Sequence, residues 1–85
     1  MPAISMFQGI VIYMHWDDHN PPHFHASFQN YRAVFDFDGN LIKGELPLKK
    51  RHLVTAWAIL HTDELWGNWE LAQNDGELYR IDPLR

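Results

Sequence analysis

The sequence predicts an α+β domain: an antiparallel β-meander packed on one long C-terminal helix, with a short terminal strand. Three observations lead there. Apolar and polar residues alternate with period two through the first half, apolar residues recur at helical spacing through the second, and Pro47 stands at the change. At 85 residues the chain is expected to form a single domain spanning 1–85. A chain of this size buries only roughly 60–65% of the surface it exposes when unfolded, and 46% hydrophobic and 14% aromatic residues suffice for a small core.

Ala3 to Phe7 is the first strand signal, and Gly9 punctuates it. Gly9 to Trp16 then sets Ile10, Ile12, Met14 and Trp16 on one face and Val11, Tyr13 and His15 on the other. Asp17-Asp18-His19-Asn20-Pro21-Pro22 must be a loop, because two consecutive prolines restrict φ and remove two backbone donors. His23 to Gln29 alternates again, with Phe24, Ala26 and Phe28 apolar and His23, His25, Ser27 and Gln29 polar. Tyr31 to Asp38 repeats the pattern, Gly39-Asn40 reads as a two-residue hairpin, and Leu41 to Leu46 follows as the next strand.

Pro47 ends the sheet and suits a first helical turn. Leu53, Trp57, Leu60, Leu65, Trp69 and Ala72 then mark an apolar face, with Thr62-Asp63 as an N-cap signal inside it. This pattern fits one helix over about residues 48–74 or two helices joined at Thr62-Asp63; the reading adopted is one long helix, kinked there if anywhere. Asp75-Gly76 closes it, Leu78 to Asp82 is expected to form a last strand, and Pro83 stops that strand.

Composition removes several function classes. Without cysteine the chain is neither a disulfide scaffold nor a Cys-ligated zinc finger. No apolar run exceeds the five residues of Ile10 to Met14, far short of the roughly 20 residues of a spanning helix. No basic segment with a small-residue cleavage site precedes it, so a cytoplasmic protein without a membrane role is expected. A net charge of −4 argues against a non-specific grip on nucleic acid. Six protonated histidines would turn that charge to +2, a reversal just below neutral pH. Gly-rich phosphate loops, G-x-S-x-G elbows and H-E-x-x-H motifs are absent from the sequence.

The chemistry concentrates in Asp17-Asp18-His19-Asn20-Pro21-Pro22-His23-Phe24-His25. His23 and His25 lie two apart on a strand, so both are expected on the polar face, roughly 7 Å apart, with Phe24, Phe35, Trp57 and Trp69 beneath in the core. His19 sits in the loop that can fold back over them. A Gln29-Asn30 turn pairs Phe24 with Phe35, Ala26 with Ala33, His23 with Asp36 and Ser27 with Arg32. A Gly39-Asn40 turn pairs Asp36 with Lys43. The expected polar row is therefore His23–Asp36–Lys43, with His25 and Arg32 alongside.

Three readings of this cluster stay open. It is a solvated polar face without chemistry. Or His19, His23 and His25 act as catalytic proton-transfer groups, Asp36 orients an imidazole, and Arg32 and Lys43 contact nucleic acid or phosphate. Or His19, His23 and His25 ligate zinc or another divalent metal. The helix tryptophans, the basic run Lys49-Lys50-Arg51-His52 and His61 read as structural or solvated features.

The residues resemble a known family. The start Met1-Pro2-x-Ile4-Ser5-x-Phe7-x-Gly9-Ile10-x-Ile12, the segment Asp18-His19-Asn20-Pro21-Pro22-His23-Phe24-His25 and Gly44-x-Leu46-Pro47 are similar to those of domain of unknown function 4160. So are Trp57-Ala58-x-x-His61-x-x-Glu64-Leu65-x-x-Asn68-Trp69-x-x-Ala72 and Ile81-x-Pro83-Leu84. These are small bacterial and phage proteins without a settled activity. The resemblance implies the toxin-like member of a toxin–antitoxin-type pair. Its partner would be an antitoxin-like protein, commonly of domain of unknown function 2442. Small toxins commonly act on RNA or the ribosome, and the histidine row then reads as a metal-independent ribonuclease without a cofactor; the alternative is a non-enzymatic metal- or partner-binding module using the same histidine cluster. His19, His23, His25, His61 and Trp69 fall on the family's positions, whereas His15, Trp16, His52 and Trp66 do not.

Overall fold

The computed structural model describes residues 3–84. Five strands, β1 (Ala3–Phe7), β2 (Ile10–Tyr13), β3 (Phe24–Phe28), β4 (Tyr31–Phe35) and β5 (Leu41–Gly44), form one antiparallel sheet in chain order. Two helices, α1 (Leu48–Leu60) and α2 (Thr62–Gln73), cover one face. The core they enclose has Trp57, Phe24, Phe35, Ile4, Ile10, Ile12, Met14 and Leu65 fully buried. Leu60, expected among them, is 68% exposed; Val54 and Ala58 take the inner positions of α1 instead.

Local sequence explains two of the hairpins. Gln8 and Gly9 both have positive φ, 51° and 78°, which suits the tight β1–β2 connection. Gln29-Asn30 joins β3 to β4 and sets Phe24 opposite Phe35, Ala26 opposite Ala33 and Ser27 opposite Arg32, as the turn reading requires.

The next hairpin corrects the expectation. Gly39-Asn40 is not a two-residue turn between paired strands. The Asp36 carboxylate accepts the backbone N–H groups of Asp38 and Asn40, both at 2.9 Å, and the Asn40 side-chain amide at 3.1 Å. This local capping makes Asp36–Asn40 a longer loop, ends β4 at Phe35 and slips the register. Val34 then meets Lys43 and Ala33 meets Gly44, with a bulge before Phe35 meets Leu41. Neither the His23–Asp36 nor the Asp36–Lys43 pair forms. Across β2 to β5 the observed row is Tyr13–His25–Val34–Lys43. Gly44, at φ 79°, is the last residue of β5, and only glycine fits there because a Cβ would collide with the Arg32 carbonyl oxygen.

The single long helix is also corrected to two. His61 leaves helical geometry, with φ −124° and ψ 26°, and its N–H is shared between the Trp57 and Ala58 carbonyls. The Thr62 hydroxyl donates to the Ala58 carbonyl at 3.0 Å, the oxygen that Thr62's own amide would use in a continuous helix. Leu65 N–H then bonds His61 O and starts α2, with Asp63 and Glu64 in its first turn where the dipole favours acids. At the far end Asp75 adopts φ 56° and Gly76 N–H returns to Leu71 O at 2.7 Å, a left-handed closure.

Leu78 to Asp82 forms no strand. Asn68, fully buried, uses its side-chain amide as a substitute neighbour: Tyr79 N–H donates to its Oδ1 and Tyr79 O accepts its Nδ2. Ile81 N–H reaches Ile4 O at 2.7 Å, and Trp57 Nε1 donates to Asp82 O at 2.8 Å. Among the described residues no helix is long and apolar enough to cross a membrane.

Three stability outcomes follow from this architecture. Phe24→Ala should cost roughly 3–5 kcal/mol in denaturant unfolding, because it opens a cavity under the sheet. Gly44→Ala should cost roughly 1–3 kcal/mol and loosen β5 first in hydrogen exchange. Burial and the Glu64 charge hold the Tyr79 phenol above its ordinary value. The neutral phenol is thus favoured in the folded state, and its contribution is present below the unfolded value, about 10, and lost as pH rises through the folded one. The Tm gap between wild type and Tyr79→Phe should therefore narrow above that pH; a gap that stays constant would contradict this.

Candidate functional site

Position in the chain builds the cluster. β2 and β3 pair with Tyr13 opposite His25, so the loop between them, residues 14–23, folds over the end of the sheet. α2 holds that loop from outside: Asp17 N–H donates to Ala72 O at 3.2 Å, and Gln73 Nε2 donates to Asp18 O at 2.9 Å. Within the loop the Asn20–Pro21 peptide is cis.

Asp18 is the centre. Its Oδ2 lies 2.8 Å from His23 Nε2 and 3.1 Å from His25 Nε2, and its Oδ1 accepts the His19 N–H at 3.1 Å. His23 Nδ1 lies 2.7 Å from Pro21 O. That carbonyl can only accept, so Nδ1 carries a proton. The lone pair of Nε2 would then face a carboxylate at 2.8 Å, a contact that is favourable only with a cation, a proton or a metal, between them.

The flanking rings fix this geometry. His25 stacks on Tyr13 at 5.2 Å between centroids and meets the edge of His15 at 4.4 Å. His23 packs on Trp69 of α2 at 5.5 Å and on His19 at 5.6 Å. Burial tends to raise the Asp18 pKa, but the His25 hydrogen bond, the His23 charge and the His19 N–H outweigh it and hold the carboxyl below its usual value. Burial pushes His25 down, and the neighbouring His15 and His23 charges add to this against the opposing pull of Asp18. His25 is therefore a neutral imidazole at neutral pH.

Two adjoining hollows open beside these groups. One, of about 260 Å³, is lined by Asp18, His19, Pro21, His23, His25, Val34, Ile42 and Lys43. The second, of about 280 Å³, continues past His25 to Arg32, Lys43 and Gly44. Lys43 thus stands between them on the rim.

His19, His23 and His25 come together as the sequence suggests, and Lys43 and Arg32 lie along the same surface. Their settings differ from expectation. His23 is only 5% exposed rather than on an open polar face, because it precedes β3 and the strand alternation begins one residue later, at Phe24. Asp36 is outside the cluster, its carboxylate engaged in its own loop. Asp18 takes the orienting place that the register argument gave to Asp36. The Arg32 guanidinium donates to Gln29 O and Tyr31 O. Sequence reasoning assigned no role to Asp18, His15 or Tyr13, although Tyr13 and His15 share the alternate face of their strand signal with His25 across the ladder. His61 sits at the helix break, 2.6 Å from Glu64 through Nδ1 and against Trp57.

A family model, Domain of unknown function (DUF4160), matches residues 9–70, from the β1–β2 turn into α2. No curated protein and no solved structure matches the chain.

Because His23 is buried and bonded at both nitrogens, its loss should affect the fold as well as the site. His23→Ala should lower stability by roughly 1–3 kcal/mol, leaving Asp18 and Pro21 O without their partner, and by more than His25→Ala. Equal melting temperatures for His23→Ala and wild type would contradict this placement.

Proposed function

The chain belongs to the DUF4160 family, and from that premise we propose that it is the cytoplasmic, toxin-like member of a two-protein pair, acting through a divalent-cation centre built on Asp18. One observation carries the centre: the His23 ring, locked by Pro21 O at Nδ1, aims Nε2 at a carboxylate 2.8 Å away. A ligating histidine commonly donates its other N–H to a backbone carbonyl in this way, which fixes the tautomer and the ring. Imidazole and carboxylate donors suit zinc and related first-row ions. Asp18 and His23, with a further imidazole of the cluster, would hold the ion, and it would supply Lewis-acid polarisation and an activated water.

The substrate class that suits this surface is a phosphate ester, with RNA as the target in the toxin reading. Lys43 on the rim and Arg32 beyond it provide the positive charge that the chain as a whole lacks. The partner would be an antitoxin-like protein, for which the family resemblance suggests domain of unknown function 2442. A second reading, metal-free proton transfer, draws on His25, which burial keeps neutral and able to accept a proton from a ligand, with the Asp18 carboxylate beside it to stabilise the imidazolium formed.

Tag-free protein dialysed against zinc and then against buffer should retain the metal, and Asp18→Asn should lose it while keeping wild-type circular dichroism. Wild-type chain that retains none would remove the cation centre. Expression in a bacterial host should slow growth, Asp18→Asn should not, and co-expression of the partner should restore growth. Normal growth at high levels of soluble wild-type protein would remove the toxin reading.

A further inference from the structure

We infer that the Asp18 cluster is a two-cation site, in which one carboxylate is shared by His15 and His25 on one side and by His19 and His23 on the other. This rests on the proposed cation centre and extends it. The donor atoms of His15, Asp18 and His25 all lie within 4.8 Å of one another, and so do those of Asp18, His19 and His23. Bonds of roughly 2.0–2.2 Å place donors around one ion at most about 4.4 Å apart. Each set therefore closes onto an ion with small side-chain adjustments. Asp18 is the only member common to both.

The chemistry of the shared group fits the division. A carboxylate offers two oxygens and about four lone-pair directions, and it can join ions roughly 3.5–4 Å apart. His23 and His25 both approach the same oxygen, at 2.8 and 3.1 Å, with their rings 5.1 Å apart and nearly perpendicular at 75°. Among the described residues His23 and His25 fall in different donor sets, so each imidazole goes to its own ion. Each imidazole brings a companion from its own side. His15 lies against His25 at the end of β2, and His19 lies against His23 in the proline loop.

The two halves differ in access. His15, Asp18 and His25 are all half-buried, whereas His19 is exposed. The first set, backed by Tyr13 stacked on His25, is the tighter one, and the set that ends in His19 exchanges its ion faster. Each ion would have two imidazoles and a shared carboxylate, which leaves further positions open to the ligand in the adjoining hollow.

Equilibrium dialysis against zinc, with metal counted per chain by elemental analysis, tests this on the full chain. Wild type should bind two ions. His15→Gln and His19→Gln should each bind one, with the ion retained by His19→Gln exchanging more slowly, and Asp18→Asn should bind none. Circular dichroism should be unchanged in all three variants. One ion per wild-type chain, unaffected by either His15→Gln or His19→Gln, would overturn the two-cation site and leave the single centre standing. No ion on wild type would overturn both.

Discussion

Phe24 fills the middle of the core, stacked on Phe35 at 5.6 Å and edge-on to Trp57 at 5.6 Å. A strand cannot send neighbouring side chains to the same face, so burying Phe24 turns His25 outward. Register does the rest. With Phe24 opposite Phe35, His25 must sit opposite Val34, and β2 and β5 bring Tyr13 and Lys43 into the same row. The apolar demand of one ring thus determines where the cluster assembles and what stands beside it. A slip of one residue would drop the imidazole into the core and expose the phenyl ring.

The helices place the loop as well as cover the sheet. The break at His61 redirects α2, and α2 then holds Asp17 and Asp18 by backbone and glutamine hydrogen bonds and presents Trp69 to His23. Burying His23 against an indole removes water from one side of the Asp18 contact, and a drier setting strengthens whatever cation joins the two groups. Fold and site are consequently not separable at His23, although they are largely separable at His25 and His19.

Much of this was legible in the sequence, and the failures have a common physical form. Period-two alternation located all five strands, and the Gln29-Asn30 turn gave the β3–β4 register residue by residue. Alternation reports which side a residue faces, but it cannot report where a strand stops. Extending it one residue too far put His23 on the open face. The β4–β5 register failed because the Asp36 carboxylate could bond backbone amides two and four residues ahead, which lengthens a turn without changing its hydrophobic pattern. The Thr62 hydroxyl takes the Ala58 carbonyl at a break in a helix whose apolar spacing runs on. Asn68 looked like an ordinary helix residue and proved to be a buried bracket for the C-terminal segment. In each case a short-range polar bond decided the outcome where periodicity was silent. The centre of the cluster was missed for a related reason: Asp18 lies in the same segment as His19, His23 and His25, but only the fold of the proline loop turns its carboxylate back onto them, and the strand register had given the orienting place to Asp36.

The bond from Ile81 to Ile4 joins segments separated by nearly the whole chain. Closing so long a loop carries an entropic cost that grows only with the logarithm of its length, yet no local contact rewards it early. Such a bond is expected late in folding rather than in its nucleus. It forms after the hairpins and helices have already drawn the two segments together, and it then ties the first strand, α2 and the tail into one cooperative unit. Loosening the tail would therefore be felt at β1, on the opposite side of the sheet from β5.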